Sequence, residues 1–208
     1  MTPAEVGALL SAAVRGAVAP ADVPLAYREP GRYVSAVALR AGQRPDEVAA
    51  RVPSGLGRAE RGMIVIEVPP ESVTRGILRE GVRYGIVERV PGGGWPERPR
   101  TFANPGFAVR YAYARAGWAE AADGRVTGNF DAAERRLAGA LPELPGRAAQ
   151  AVREADATPL IAYLERLACV YHDVHERPGP IRGVLARAAR IALGNGLTMI
   201  GETPRERI

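Results

Sequence analysis

The chain has 208 residues and a formal net charge of +5, from 28 basic and 23 acidic side chains. That length allows one large domain or two small ones. Apolar residues make up 47%, which excludes a disordered composition. No stretch approaches the length of a membrane span, and no basic flank with an apolar core opens the chain, so a cytoplasmic protein is expected. The single cysteine, Cys169, excludes an internal disulfide and a cysteine-built zinc site. All 28 basic side chains are arginine. A GC-rich genome produces the same bias, but the consequence is physical either way. No lysine exists for a Schiff base or a P-loop, while arginine grips phosphate in a fork and stacks on bases.

In chain order, residues 3–18 read as an amphipathic helix with Val6, Leu9, Leu10, Ala13 and Val14 on one face. Residues 24–29 suit a strand closed by the Pro30-Gly31 turn. The spacing of Tyr33, Val37 and Ala38 predicts a short helix over 33–41. Another helix opens at Pro45-Asp46-Glu47, with proline and acids where a helix N-terminus favours them. The β-branched run Gly62 to Val68 predicts a buried strand, and a helix follows from Glu71 to about Tyr84. The Pro/Gly-rich stretch from Pro91 to Asn104 reads as an interdomain linker. Beyond it the pattern is helical throughout. Phe107, Tyr111, Ala114 and Trp118 mark a first helix, broken by Asp123-Gly124 and Gly128-Asn129. Residues 130–140 and 142–154 give two more. Leu160, Leu164, Leu167, Tyr171 and Val174 stripe a fourth, ending at Pro178-Gly179-Pro180. Ile181, Val184, Leu185, Ala188 and Ala192 stripe a fifth, ending near Gly194-Asn195-Gly196. The expected fold class is α+β: a small α+β domain over 1–90, a linker over 91–104, and an all-α bundle over 105–208.

Catalytic patterns are sparse. His172 and His175 share a helix at a spacing that can serve a metal, but no third ligand accompanies them, so ordinary helical histidines are the expectation. Cys169 lies beside the apolar stripe without a histidine partner and reads as a buried structural thiol. Gly92-Gly93-Gly94 could cradle phosphate only if it joined a strand to a helix, and prolines surround it. No nucleophile elbow occurs. No catalytic residue, metal site or cofactor is expected.

Three blocks in the second half resemble one family. The run Asn104-Pro105-x-Phe107-x-Val109-x-Tyr111-Ala112-x-Ala114-Arg115 is similar to the opening helix of the DALR-type anticodon-binding domain of arginyl-tRNA synthetases. Pro159-Leu160-x-x-Tyr163-Leu164-x-x-Leu167-Ala168 with Tyr171-His172 resembles a later helix of that domain, and Gly201 to Ile208 resembles the synthetase C-terminus. In the first half, Pro30 to Leu39, Arg44 to Ala49 and Gly62 to Ile66 with Pro70-Glu71 resemble the additional N-terminal domain of the same enzymes. The nucleotide-binding catalytic domain that a synthetase carries between these parts, with its His-x-Gly-His and Lys-Met-Ser-Lys motifs, has no counterpart here.

The resemblance implies a non-catalytic tRNA-binding accessory protein. It would hold tRNA-Arg or arginyl-tRNA for a synthetase or a tRNA-dependent aminoacyl transferase. The residues carried over as tRNA-binding are Asn104, Phe107, Arg110, Tyr111, Arg115 and Arg207. Tyr111 and Arg115 share a helix face, which suits a base stack beside a guanidinium fork; spacing alone favours the other reading, in which Tyr111 completes the core stripe and Arg115 borders it on the surface, and it is the resemblance that brings the binding role level. Departures from the family pattern, Arg32, Ala36, Ala108 and Tyr113, leave specificity open. The alternative is a protein-docking module derived from the synthetase that has lost tRNA binding.

Overall fold

The computed structural model describes residues 1–53, 55–88, 90–122, 130–177 and 181–207, the side chains of residues 28 and 120–122 excepted. The chain is a mixed α/β protein, mainly helical, with one four-stranded antiparallel sheet. It divides into two compact units, Met1–Val73 and Thr74–Ile208.

In the first unit, helix α1 (Pro3–Ala13) opens on a capping box in which Thr2 and Glu5 satisfy each other's backbone N–H. Its buried face is Val6, Leu10 and Ala13, continued by Val14. The helix is shorter than expected because Arg15 and Gly16 adopt φ of 58° and 75° and turn the chain before Pro20. Strands β1 (Ala26–Glu29), β2 (Arg32–Ser35), β3 (Gly57–Glu60) and β4 (Met63–Glu67) form a sheet in the order β1-β2-β4-β3. Gly31 makes the β1–β2 turn at φ 83°, and a Cβ there would stand 2.1 Å from the Val68 carbonyl oxygen, so no other residue fits.

The helix expected over 33–41 is a correction. Residues 32–35 form β2, with Tyr33 and Ser35 buried in strand alternation, and only Val37–Arg40 is helical (α2). The helical spacing of Tyr33 with Val37 and Ala38 bridges two elements, and the Ser35 hydroxyl accepts from the Val37 N–H at the corner. Strand β3, Gly-Arg-Ala-Glu, was not expected; it is short, charged and at the sheet edge, so it carries no hydrophobic signal. Helix α3 (Pro45–Ala49) packs with α2 against the strands, closing a core of Val37, Val48, Val52, Ile64 and Ile66.

Helix α4 (Pro70–Glu80) contains the division between the units, upstream of the boundary expected near residue 90. The second unit comprises α5 (Pro105–Ala122), α6 (Ala132–Ala140), α7 (Leu144–Glu154), α8 (Thr158–His175) and α9 (Gly183–Met199). Helix α5 packs on α8 and α9, and α8 on α6 and α7. All five residues of the α8 stripe are buried. Two buried tyrosines, Tyr84 and Tyr163, donate to the same carbonyl, Leu141, at 2.8 and 3.4 Å.

Residues 91–104, expected as a linker, contain no helix or strand but are bonded to this unit. The Gly93 N–H donates to the Ile200 carbonyl at 3.1 Å, and the Trp95 indole donates to Glu165 at 2.6 Å. Helix α9 runs through the expected stop at Gly194-Asn195-Gly196. Those residues are packing choices: a Cβ at Gly194 would lie 2.9 Å from the Tyr113 ring, and one at Gly196 would lie 2.4 Å from Leu164. Asn195 donates its amide to the Tyr84 carbonyl at 2.7 Å. Cys169, expected to be buried, is exposed, because it falls on the flank of α8 opposite the stripe. The breaks expected at 123–124 and 128–129 and the stop at 178–180 lie outside the described residues.

Candidate nucleic-acid interface

Helix α5 divides its two faces sharply. Val109, Ala112 and Ala116 are fully buried, while Phe107 and Tyr111 are half-buried and Trp118 is 56% exposed. The small residues let neighbouring helices approach. The large aromatics expected as a core stripe therefore stand at the rim, and only Ala114 of that set is buried. Sequence spacing could not tell the two faces apart, because alanine and tyrosine both count as apolar.

At this rim four aromatic rings meet. Phe107 and Tyr111 are stacked, with centroids 5.8 Å apart and planes 23° from parallel. Phe102, itself 56% exposed, stands edge-on to Phe107 at 5.7 Å, to Tyr111 at 5.4 Å and to His172 at 5.2 Å. Its position in the Pro/Gly stretch gave no periodic signal. Asn104, which opens α5, is buried and committed to backbone. Its Oδ1 accepts from the Gly106 N–H, and its amide donates to the Pro96 and Pro99 carbonyls at 2.8 and 3.1 Å. That residue ties the segment before α5 to the helix start, and its side chain is spent on those bonds.

One turn further along α5, the Arg115 guanidinium caps the stack. Its Cζ lies 5.6 Å from the Tyr111 ring centroid and 5.2 Å from that of Trp118. Its Nε donates to His175 Nε2 at 3.1 Å, which requires that nitrogen to be unprotonated. Burial first, then the charge of Arg115, hold the His175 pKa below its ordinary value, with Glu176 pulling the other way. His172 Nε2 lies 3.0 Å from the Ala108 carbonyl, an acceptor only, so it carries the proton. Both histidines are thus bonded to α5, and among the described residues no group of three His, Cys, Asp or Glu side chains is placed to hold a metal ion. Tyr171 stacks on His175 at 5.9 Å and 11°, backing the ring that holds Arg115.

Phe107 also lines a second feature, a groove of about 510 Å³ bordered by Arg100, Arg110, Arg205 and Arg207 and by Glu97 and Glu202. Arg110 is engaged inside it: Nε and Nη2 bond both oxygens of Glu202 at 2.7 and 2.6 Å, with both side chains about one-sixth exposed. Glu202 raises the Arg110 pKa, and the fork is not open to solvent anions. Arg207 is exposed at the groove edge. Of the six expected site residues, Phe107, Tyr111 and Arg115 come together in the stack, Arg110 and Arg207 line the groove, and Asn104 is buried at the start of α5. Tyr113 faces elsewhere, lying over Gly194 with the Arg190 guanidinium 5.4 Å from its ring centroid.

Comparison with protein-family models, with curated proteins and with solved structures finds no match to this chain.

Proposed function

We propose that this chain is a non-catalytic tRNA-binding protein of arginyl-tRNA synthetase type, which takes the anticodon loop of tRNA-Arg on the aromatic rim of α5. The observation that carries the reading is the Phe107–Tyr111 stack capped by Arg115. Unpaired loop bases are recognised by stacking on aromatic rings and on guanidinium planes, and each such stack contributes roughly 1–3 kcal/mol. An aromatic ladder ending in a cation, beside a groove with arginine walls, offers both a base platform and a phosphate track. The motif order of the sequence supports the same reading, since the stack falls on the block that resembles the anticodon helix. The bound tRNA or arginyl-tRNA would be presented to a synthetase or a tRNA-dependent transferase.

The test is binding of the purified chain to a tRNA-Arg transcript beside an unrelated tRNA at two salt concentrations, with Arg115→Ala as the variant. Selective, salt-sensitive binding that weakens in Arg115→Ala supports the proposal. Absence of binding to either tRNA overturns it and leaves protein docking as the function.

A further inference from the structure

We infer that the arginine groove is a phosphate subsite for single-stranded nucleic acid, and that the Arg110–Glu202 pair is a latch that holds its outer wall in place. This rests on the nucleic-acid reading above and adds a second, separately testable element to it.

Four guanidinium groups against two carboxylates leave two positive charges in excess around the groove. The four arginines are not equivalent. Arg110 is saturated by Glu202. Arg100 and Arg205 share Glu97 at 3.3 and 3.8 Å, with all three side chains about 60% exposed. Exposed pairs of that kind contribute little and give way to a better anion. Arg207 has no carboxylate within ion-pair distance among the described residues. Three guanidinium groups are therefore available to a phosphate, which arginine binds through its planar fork.

Phe107 belongs to both the stack and the groove. A nucleotide whose base lies on the Phe107–Tyr111 platform has its phosphodiester within reach of the groove. The volume, about 510 Å³, falls in the roughly 300–1,000 Å³ range of sites that enclose small ligands.

The latch follows from how the tail is fixed. Residues 202–207 have no helix or strand, yet Arg205 and Arg207 form part of the groove wall. Among the described residues, ion pairs tie this tail at Arg190–Glu206 (2.7 Å), Arg205–Glu97 (3.8 Å) and Arg110–Glu202. In the first two the tail side chain is 76% and 64% exposed, whereas Arg110 and Glu202 are 17% and 16% exposed and bidentate. The largely buried pair therefore sets the course of the tail. Its consequence is opposite to simple electrostatics. Neutralising Glu202 makes the groove more positive, which by charge alone tightens phosphate binding. Through the latch, the same change releases Arg205 and Arg207 and loosens it.

The experiment is fluorescence anisotropy of a labelled six-nucleotide ribo-oligomer with the full chain across a salt series. For single strands each phosphate contact contributes about 0.7 to the slope of log K against log salt. The double variant Arg205→Ala/Arg207→Ala is expected to lower the slope by about 1.4 while base-dependent binding persists at low salt. Glu202→Gln is expected to bind several-fold more weakly with a lowered slope, and the exchanged pair Arg110→Glu/Glu202→Arg to restore the slope. Inorganic phosphate is expected to compete only at far higher concentration than the oligomer; equal affinity would make the groove a free-anion site and overturn the polynucleotide assignment. An unchanged slope in the double variant overturns the groove and leaves the stack standing. Tighter binding by Glu202→Gln overturns the latch. No oligomer binding by the unmodified chain overturns the nucleic-acid reading and the groove with it.

Discussion

Replacing Tyr111 by alanine, phenylalanine or leucine separates stacking from packing at the α5 rim. Tyr111 touches Phe107 at 5.8 Å, Phe102 at 5.4 Å and His172 at 5.8 Å, and lies under Arg115 at 5.6 Å. Loss of one base platform costs roughly 1–3 kcal/mol of binding, which is about a 5- to 150-fold rise in Kd. Phenylalanine keeps the ring and loses only the hydroxyl, so Tyr111→Phe is expected to bind within about twofold of the unmodified chain. Leucine keeps much of the apolar volume without a π-face, so Tyr111→Leu is expected to fold like Tyr111→Phe and bind like Tyr111→Ala. Alanine also removes aromatic contacts, each contributing about 0.5–1.5 kcal/mol beyond its area, so its melting temperature falls and binding must be read well below it. The assay is anisotropy of a labelled anticodon stem-loop, with circular dichroism melts beside it. Leucine binding as tightly as phenylalanine would refute the stacking argument, since packing alone would then account for the residue.

The remaining predictions concern stability and pH. Gly196→Ala, with its Cβ 2.4 Å from Leu164 Cδ2, forces an overpacked core costing about 1–3 kcal/mol, partly offset by about 1 kcal/mol of helix propensity; a lower melting temperature is expected. Gly146→Ala in α7, where nothing lies within 4 Å of the added carbon, is expected to leave the melt unchanged or raise it, and a fall would contradict the packing account. Glu134 is 1% exposed, bonds Arg177 and Arg182 at 3.0 and 3.1 Å and closes the α6 capping box with Asp131, which itself pairs with Arg177. Glu134→Ala is expected to cost about 3 kcal/mol, read as a melting temperature lower by about 6–12 °C; a loss under 1 kcal/mol, on the order of an exposed pair, would refute the burial argument. His175 has a lowered pKa in the folded chain, so the unfolded chain takes up the proton first as pH falls. Its contribution to stability is complete above the unfolded value of about 6.5 and is lost as pH drops from there through the folded value. His175→Gln is expected to flatten that part of the stability–pH curve, and an unchanged curve would remove the Arg115–His175 bond from the account.

The helices of the second unit were legible as helices, but the buried face was legible only where a wide apolar stripe marks it. The α8 stripe from Leu160 to Val174 is wholly buried as its spacing required. On α5 the spacing of Phe107, Tyr111 and Trp118 was equally regular, yet these rings are at the rim. The core side is Val109, Ala112 and Ala116, too small to stand out in a hydrophobic pattern but the right size for two neighbouring helices. Glycine misled in the same direction: Gly194 and Gly196 read as a stop, while in α9 they accept Tyr113 and Leu164 against the backbone. The short elements of the first unit escaped because β2 and α2 meet within one helical repeat and β3 is a charged edge. The candidate interface divides along the same line. Tyr111 and Arg115 are neighbours by helix geometry, so sequence could join them. Phe102, His175 and the tail arginines arrive from segments 60 or more residues apart, or from loops without periodicity, and only the packing of α8 and the tail against α5 brings them to one surface. On the proposed function, the large side chains left at the rim of this small-residue helix, with a cation over them, owe their size to contact with a planar base, since burial gives no full account of it.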